Sequence, residues 1–358
     1  MVKIVIVGCG INGLSSAIRI QDEFPAAEIT IISDKFTPET TSDGAAGIWG
    51  PYLLGTTPAN DVYRWSKETH NFLRDTWKSP EGGLMGVSML PCFRVSSDDD
   101  FAVPDWSDVV YGFRSLTQQE LQKLGKPSLK KGYGFVTFTC EGRKLLPYLL
   151  NKFKMRGGQI LKAKVQDLHT LGKAYDIVVN CTGLAARDLV PDETVQPKRG
   201  QIIRVNSPDI KWAILNDDDD GNYIIPNQDS VVLGGTHQEG DWNCTTYQED
   251  TTFIKTGCAA IIPSVQDAPL IREWVGLRPG RPSVRLDMEV IQHPGEKPWP
   301  PRNKTAKGSR KVKMKESEPF LCSNYGHGGS GLTLFWGCAK DTADLVKTAT
   351  QMYMQSKL

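Results

Sequence analysis

The stretch Lys3-Ile-Val-Ile-Val-Gly-Cys-Gly-Ile-Asn-Gly13 decides the fold of the N-terminal region. It starts with an apolar run of strand length, and a helical pattern of apolar residues continues from it through Ile20. A second run, Glu28-Ile-Thr-Ile-Ile-Ser33, has the composition of another strand. Strand, helix and strand in this order predict a βαβ unit, the building block of a parallel sheet in an α/β domain.

The three glycines of this stretch have the spacing GxGxxG between a strand and a helix. Gly8 permits a tight turn, Gly10 lets the backbone approach a pyrophosphate, and Gly13 lets the helix pack on the strand. Asp34 follows the second strand, where a carboxylate can bind a ribose hydroxyl. A purely structural turn would not require this acid. The pattern predicts a dinucleotide site and leaves FAD and NAD both open.

Two further segments could contact a long cofactor. Thr40-Thr41-Ser42 precedes Ala45-Ala46-Gly47, and His327-Gly-Gly-Ser-Gly-Leu-Thr333 precedes a final helix predicted from about Gly337 to Met354. A plain loop-to-helix turn would not need so many glycines. Because a resident FAD needs contacts along its whole length, these segments favour FAD.

The rest of the chain predicts a discontinuous domain and a second sheet. The run from Tyr175 to Gly183 is typical of a buried parallel strand. Alternating apolar residues from Gln201 to Gly235 predict an antiparallel sheet with one wet face. We therefore predict a dinucleotide-binding domain of residues 1–48, 140–196 and 272–358, interleaved with a substrate-binding domain of residues 49–139 and 197–271.

Composition restricts the classes of partner. Lys plus Arg number 42 and Asp plus Glu 41, so no net field favours nucleic acid or an anionic membrane. No apolar run approaches the ~20 residues of a membrane span. The eight cysteines lack metal-ligand spacing, which predicts no metal site and mostly buried, reduced thiols. The oligomeric state stays open.

Two segments toward the C-terminus each support a separate prediction. Residues 295–318 carry eight Lys or Arg and few aliphatic residues, which predicts a basic surface loop. A nucleic-acid patch is the less favoured reading. The chain ends in Ser356-Lys357-Leu358, the form of a signal read by the peroxisomal import receptor. We expect the protein in the peroxisomal matrix.

Five segments that span the chain resemble the D-amino-acid oxidase and D-aspartate oxidase family. They are Ser33 to Gly47, Val178 to Gly183, Gly234 to Trp242, Gly276 to Pro282 and Tyr325 to Thr333. The resemblance implies a Rossmann-like FAD-binding domain interleaved with a substrate domain built on a twisted antiparallel sheet. It also implies oxidation of a small D-amino acid by oxygen, with release of hydrogen peroxide, ammonia and a 2-oxo acid.

The resemblance also implies roles for residues. Arg278 matches the arginine that binds the α-carboxylate, Tyr223 the tyrosine that shares it, and carbonyls near Gly50 and Gly329 the groups that orient the amine. No general base is required, and the histidines show no catalytic spacing. Together with the glycine pattern, the resemblance assigns cofactor contacts to Gly8, Gly10, Ile11, Asn12, Gly13, Asp34, Lys35, Thr40, Thr41, Ser42, Gly47, Ile48, Val165, Thr182, Gly183, Gly328, Gly329, Gly331, Leu332 and Thr333.

The predicted substrate pocket is mixed. The sequences of the motifs resemble the D-aspartate oxidase branch more closely. Asn216 and His237, however, occupy positions where that branch carries basic residues. Tyr52 is typical of the neutral-substrate branch, and Ser330 is a further predicted contact to the substrate side chain. The four carboxylates Asp217 to Asp220 are expected to face water, which leaves His237 as the titratable cation for an acidic side chain.

These observations favour D-aspartate or D-glutamate with some activity on neutral D-amino acids. The alternatives are a neutral D-amino-acid oxidase, a glycine or sarcosine oxidase-like flavoenzyme, and a nucleotide-binding scaffold without turnover.

Overall fold

The computed structural model describes residues 1–124, 126–218, 221–291 and 319–356, without the side chain of residue 356. The predicted basic loop of residues 295–318 lies outside the described residues, as do residues 357 and 358 of the predicted import signal. The described strands are β1 Lys3–Val7, β2 Glu28–Ser33, β3 Val87–Ser96, β4 Tyr111–Ser115, β5 Lys131–Cys140, β6 Gln159–Lys162, β7 Ile177–Asn180, β8 Gln196–Val205, β9 Ala213–Asn216, β10 Tyr223–Pro226, β11 Val231–Gly234, β12 Gln238–Glu239, β13 Leu270–Gly280, β14 Arg285–Val290 and β15 Phe320–Tyr325. The described helices are α1 Ile11–Glu23, α2 Ala59–Trp77, α3 Gln118–Lys123, α4 Gly142–Met155, α5 Leu168–Leu171, α6 Ala186–Leu189, α7 Gln248–Ala259 and α8 Gly331–Ser356.

The first sheet is the predicted parallel one. Its strand order is β14-β15-β7-β1-β2-β6, and only the outer pair β14 and β15 is antiparallel among the described strands. β1 pairs with β2 in register from Lys3 and Glu28 onward, which confirms the predicted βαβ unit. β7 is buried at all its positions because it pairs with strands on both sides. Helices α1 and α8 pack against each other beside this sheet.

The second sheet is larger and mostly antiparallel. Its order is β12-β8-β11-β10-β9-β3-β5-β4, and β13 pairs with β8 along ten residue pairs. β3 and β9 form a parallel pair, which the sequence did not predict. The prediction of one wet face was wrong for the central strands, since β11 is buried throughout and β8 from Arg199 to Val205. One face packs against α7, and the other face, with Ile202 and Val232, belongs to the main core.

The division into domains stays a prediction, but one strand crosses it. β13 runs through the proposed boundary at residue 272 and belongs to the antiparallel sheet along its whole length. Its pairing with β8 extends from Leu270 to Gly280, so the proposed boundary divides one continuous ladder.

The final helix starts earlier than predicted. α8 begins at Gly331 instead of about Gly337, and the backbone nitrogens of Thr333 and Leu334 donate to the carbonyl of Ser330. The glycine-rich segment thus supplies the first turn of the helix. None of the described helices combines the length and the apolarity of a membrane span.

Candidate active site

The carboxyl ends of β1, β2 and β7 open onto a cavity of about 890 Å³. In α/β sheets this edge is where dinucleotides bind. Its other walls come from β8, β9, β10 and β13 of the second sheet and from the segment before α8. The cavity therefore connects the predicted nucleotide end to the predicted substrate end.

The structure gathers the predicted cofactor residues around this cavity. All of them line it except Gly13, which lies behind the loop against the strand. A Cβ atom on Gly13 would stand 2.0 Å from the carbonyl oxygen of Gly8, so its predicted packing role agrees with the geometry. Gly8 has a φ of 103° and also lies against β7, because its Cβ would stand 2.4 Å from the carbonyl oxygen of Cys181.

Other glycines leave room toward the cavity. A Cβ on Gly10 would meet its nearest protein atom at 3.4 Å, and one on Gly331 at 3.7 Å. At Gly50 no protein atom lies within 4 Å of that position. Since all three line the cavity, they shape a space that a ligand can fill closely.

Two helices point their N-termini at this space. α1 and α8 begin at Ile11 and Gly331, and both residues line the cavity. The residue that caps α1 is Gly10, which has no side chain to accept the first amides, and Ser42 Oγ accepts from the nitrogen of Ile11 at 3.1 Å. Helix N-termini favour negative charge, so this end of the cavity suits a pyrophosphate.

Buried polar atoms without hydrogen-bond partners indicate that a polar ligand binds at this end of the cavity. Asn12 Nδ2 lies 2.9 Å from His327 Nδ1, yet Asn12 Oδ1 and His327 Nε2 are buried without a hydrogen-bond partner. Buried polar groups are normally paired. Together with the open glycine positions, these atoms fit FAD. Burial lowers the pKa of His327 to about 4, so the ring is neutral at physiological pH.

The predicted cofactor segment from Thr40 to Gly47 is held in place by the antiparallel sheet. Arg204 donates to the carbonyl of Ala45 at 3.2 Å, and Asn227 Nδ2 donates to that of Ala46 at 3.1 Å. Trp274 packs where a Cβ of Gly44 would lie, 2.1 Å from the ring. No local pattern predicts these supporting side chains, because they lie on β8, directly after β10 and on β13, far along the chain.

The substrate end holds Arg278 and Tyr223. Arg278 Nη1 donates to the carbonyl of Thr236 at 2.9 Å, and the guanidinium lies on Gly200, whose Cβ would stand 2.3 Å from it. The Tyr223 ring lies on Gly234 at a similar separation. Burial raises the pKa of Tyr223 while the charge of Arg278 lowers it, so its hydroxyl stays a donor.

Tyr52 faces the same end of the cavity. Burial raises the pKa of Tyr52. The charges of Arg278 and Arg94 lower this pKa, and Tyr223 and Asp217 raise it. Asn216 and His237 line the cavity as well, and Asn216 Nδ2 is buried without a partner.

The prediction for Ser330 was wrong. Its side chain is fully buried and does not line the cavity. Instead, Ser330 Oγ donates to the carbonyl of Tyr52 at 2.6 Å and accepts from the nitrogen of Tyr52 at 2.7 Å. It positions the wall of the pocket without touching the cavity.

The prediction that the carboxylates after Asn216 face water was wrong for the two that the structure describes. Asp217 Oδ2 accepts from Arg94 Nε at 2.5 Å, and Asp218 Oδ1 accepts from Ser96 Oγ at 2.7 Å. Asp219 and Asp220 lie outside the described residues. Arg94 also lines the cavity. It is therefore a second candidate, beside His237, for the cation that binds the side-chain carboxylate of the substrate. No sequence pattern marks Arg94, a lone arginine inside a strand.

The predicted cysteine chemistry agrees with the structure. All eight cysteines are free thiols, and only Cys244 is exposed among them. Burial raises the pKa of Cys9 to about 12, and Asp43 adds to the effect. A thiol in the phosphate loop with so high a pKa is inert at neutral pH. The described residues contain no group of three or more His, Cys, Asp or Glu placed to hold a metal.

Comparison with known proteins decides the family. The model of the family described as FAD dependent oxidoreductase matches residues 3–345. The chain is 39% identical to human D-aspartate oxidase over 345 residues, which cover 96% of this chain and 94% of that protein. It is 36% identical to a D-amino acid oxidase of Dugesia ryukyuensis, over 96% of this chain and 97% of that one. The chain belongs to the D-amino-acid oxidase family of FAD-dependent oxidoreductases.

Solved structures agree on the fold of this FAD-dependent oxidoreductase. Glycine oxidase from Bacillus cereus ATCC 14579 superposes with a TM-score of 0.72 at 18% identity, over 97% of this chain and 95% of that one. At this identity the likeness concerns the fold alone. The family membership confirms the resemblance drawn from the motifs, the α/β fold class and FAD as the cofactor. The roles of single site residues stay predictions.

Proposed function

We propose that this chain catalyses the FAD-dependent oxidation of D-amino acids by oxygen and water to 2-oxo acids, ammonia and hydrogen peroxide. The observation that carries the proposal is one cavity whose first end suits a dinucleotide and whose second end presents Arg278 and Tyr223. The preference for the D configuration rests on the relatives, whose names are D-aspartate oxidase and D-amino acid oxidase.

Arg278 is the proposed clamp for the α-carboxylate. Its hydrogen bond to the Thr236 carbonyl and its position on Gly200 fix the plane of the guanidinium. A fixed guanidinium can bind a carboxylate with two parallel hydrogen bonds. The Tyr223 hydroxyl adds a neutral donor to the same carboxylate. Holding the substrate at this end fixes the position of its α-carbon, which supports catalysis by orientation.

Bound FAD supplies the acceptor for the hydrogen and electrons that leave the α-carbon. The protein is not required to supply a strong base. Burial lowers the pKa of His327 to about 4, and His327 is committed to Asn12. Gly50 offers a carbonyl at the cavity for the substrate amine, although Thr333 Oγ1 also donates to it at 3.1 Å.

We further propose a modest preference for D-aspartate or D-glutamate over neutral D-amino acids. The human D-aspartate oxidase at 39% identity supports the acidic preference. The Dugesia relative at 36% identity is named D-amino acid oxidase, which supports activity on D-amino acids other than D-aspartate. His237 lines the cavity, and its ring can donate an N–H to a side-chain carboxylate.

Oxygen-uptake assays test the proposed reaction. The FAD-saturated protein is given D-aspartate, D-glutamate and D-alanine, with the L-enantiomers, glycine and sarcosine as controls. We expect uptake with the D-amino acids alone, matched by hydrogen peroxide. Turnover of sarcosine or glycine in their place would support the glycine oxidase-like alternative, and a flavin-containing protein inert to every amine would support a scaffold.

We also propose a peroxisomal location, supported by the sequence Ser356-Lys357-Leu358 and by peroxide as the product. A fluorescent protein fused to the N-terminus of the full chain should give punctate signal that overlaps a peroxisomal marker. The same fusion without residues 356–358 should be diffuse and equally active. Diffuse signal from both fusions would contradict the proposal.

A further inference from the structure

A buried ion pair lines the substrate end of the cavity. Arg94, on β3, donates from Nε to Asp217 Oδ2 at 2.5 Å. Their side chains are only 12% and 19% exposed. The pair joins neighbouring strands, since β3 pairs with β9 and the nitrogen of Asp217 donates to the carbonyl of Val95 at 2.9 Å. Both residues line the cavity.

The Arg94 guanidinium has unused donors. A guanidinium carries five N–H groups, and Asp217 takes the one on Nε. The Tyr133 hydroxyl is close enough to share a hydrogen bond with the guanidinium, and the centre of the Trp106 ring lies 5.8 Å from it. Asp217 and Tyr133 together account for two of the five N–H groups, so donors on the terminal amino groups remain for a ligand. A buried ion pair is favourable when further hydrogen bonds complete it, so the free donors suit a ligand acceptor.

Arg94 and Arg278 act on the same part of the pocket. Arg94 and Tyr223 lie in line across the second sheet, because both pair with Leu215 of β9, and residues in line point to the same face. Tyr223 is the proposed partner of Arg278 in binding the α-carboxylate, and all three side chains line the cavity. Arg278 is the proposed partner of the α-carboxylate, which leaves Arg94 for a second anionic group. A molecule with two carboxylates can therefore satisfy both arginines.

We propose that Arg94, aligned by Asp217, is a specificity-determining residue that binds the side-chain carboxylate of an acidic D-amino acid. This inference rests on the proposed function. It also explains why the preference is modest. When the substrate is neutral, Arg94 still has Asp217 as its counterion, so no unpaired buried charge penalises D-alanine.

Substitution of Arg94 tests the inference. In Arg94→Gln, we expect the ratio of kcat/KM for D-aspartate to that for D-alanine to fall about tenfold or more, mainly through KM for D-aspartate. Efficiency on D-alanine is measured in parallel, because loss of the ion pair with Asp217 would affect both substrates alike and leave the ratio unchanged. Arg94→Lys keeps the charge but loses the planar guanidinium, so its substrate ratio should lie between those of wild type and Arg94→Gln. Arg114→Gln is the matched control, because Arg114 is exposed, pairs with Glu120 and does not line the cavity.

A second measurement needs no variant at Arg94. With D-alanine as substrate, succinate should inhibit the wild-type enzyme about tenfold more tightly than butyrate, because only succinate has a second carboxylate. Equal inhibition would overturn the inference even if Arg94→Gln does not fold. An unchanged substrate ratio in Arg94→Gln would overturn it too, and so would a preference that His237→Ala removes and Arg94→Gln retains.

The same assays distinguish failure of the proposed function from failure of the proposed role of Arg94. A wild-type enzyme that oxidises no D-amino acid contradicts the proposed function. An enzyme that oxidises D-amino acids with a ratio independent of Arg94 contradicts this inference alone.

Discussion

Ser330 Oγ lies 2.7 Å from the backbone nitrogen of Tyr52 and 2.6 Å from its carbonyl oxygen. This pair of hydrogen bonds ties the start of α8, at the cofactor end of the cavity, to the wall of the substrate pocket. Thr333 Oγ1 makes a similar pair of contacts with the backbone of Gly50. Two hydroxyls thus hold residues 50 to 52 in place.

Ser330→Ala should loosen Tyr52 and leave FAD in place. Loss of the hydroxyl leaves the nitrogen and the carbonyl of Tyr52 without this hydrogen-bond partner. We expect the substitution to lower the free energy of unfolding by about 1–3 kcal/mol. KM for a D-amino acid should rise several-fold with little change in kcat. Steady-state kinetics and the thermal midpoint measure both effects. Thr348→Ala is the control, because Thr348 is exposed and donates only to the carbonyl of Asp344 in its own helix. A pure kcat defect would mean that Ser330 contacts the reacting groups.

The glycines of the phosphate loop should separate folding from cofactor binding. Gly13→Ala forces a Cβ to 2.0 Å from the Gly8 carbonyl, which displaces α1 from the strand and destabilises the protein without FAD. Gly10→Ala meets no protein atom closer than 3.4 Å, so the protein without FAD should keep its thermal midpoint but bind FAD weakly. Flavin absorbance and thermal unfolding check the pair. Equal midpoints for both variants would refute the packing role of Gly13.

His70 should make stability depend on pH. Burial lowers its pKa to about 4, and Arg74 adds to the effect. Above the ordinary histidine pKa near ~6.5 both folded and unfolded His70 are neutral, so stability is unaffected. As the pH falls from that value through 4, only the unfolded chain takes up the proton, and stability falls by about 1.4 kcal/mol per pH unit.

His70→Phe removes this contribution and keeps an aromatic ring beside Trp49 and Phe138. In excess FAD, its thermal midpoint should fall less than that of wild type between pH 7 and 5. The buried His327 remains in both proteins, so part of the slope persists. Parallel curves for the two proteins would show that folding does not lower the pKa of His70.

Arg278→Ala should lose most turnover with little loss of fold. Removing a bidentate contact and misplacing the α-carbon together should cost several kcal/mol, about two or more decades in kcat/KM. The FAD content should stay near that of wild type. Oxygen uptake at saturating FAD measures the effect, and wild-type kinetics in this variant would reassign the carboxylate clamp.

The sequence was most informative where local patterns determine structure. The GxGxxG spacing, the apolar runs of β1, β2 and β7 and the later glycines predicted one cofactor cavity, because each pattern depends on backbone geometry that neighbouring residues determine. The family motifs likewise placed Arg278 and Tyr223 at its far end.

The sequence was least informative where distant strands meet. Arg94 and Asp217 are 123 positions apart and become partners only because β3 pairs with β9. The run after Asn216 has the composition of a solvated tip, but Ser96 and Arg94 draw Asp218 and Asp217 inward. Ser330 looked like a pocket residue for the opposite reason, since its neighbours line the cavity while its own side chain turns to Tyr52.

Chiral analysis of a racemic substrate tests the central claim most directly. The FAD-saturated enzyme is incubated in air with catalase and DL-aspartate, and in parallel with DL-alanine, until oxygen uptake stops. The account predicts that half of each racemate is consumed, that the remaining half is the L-enantiomer, and that ammonia matches the amount lost. Loss of both enantiomers, or of neither while the flavin is bound, would contradict it.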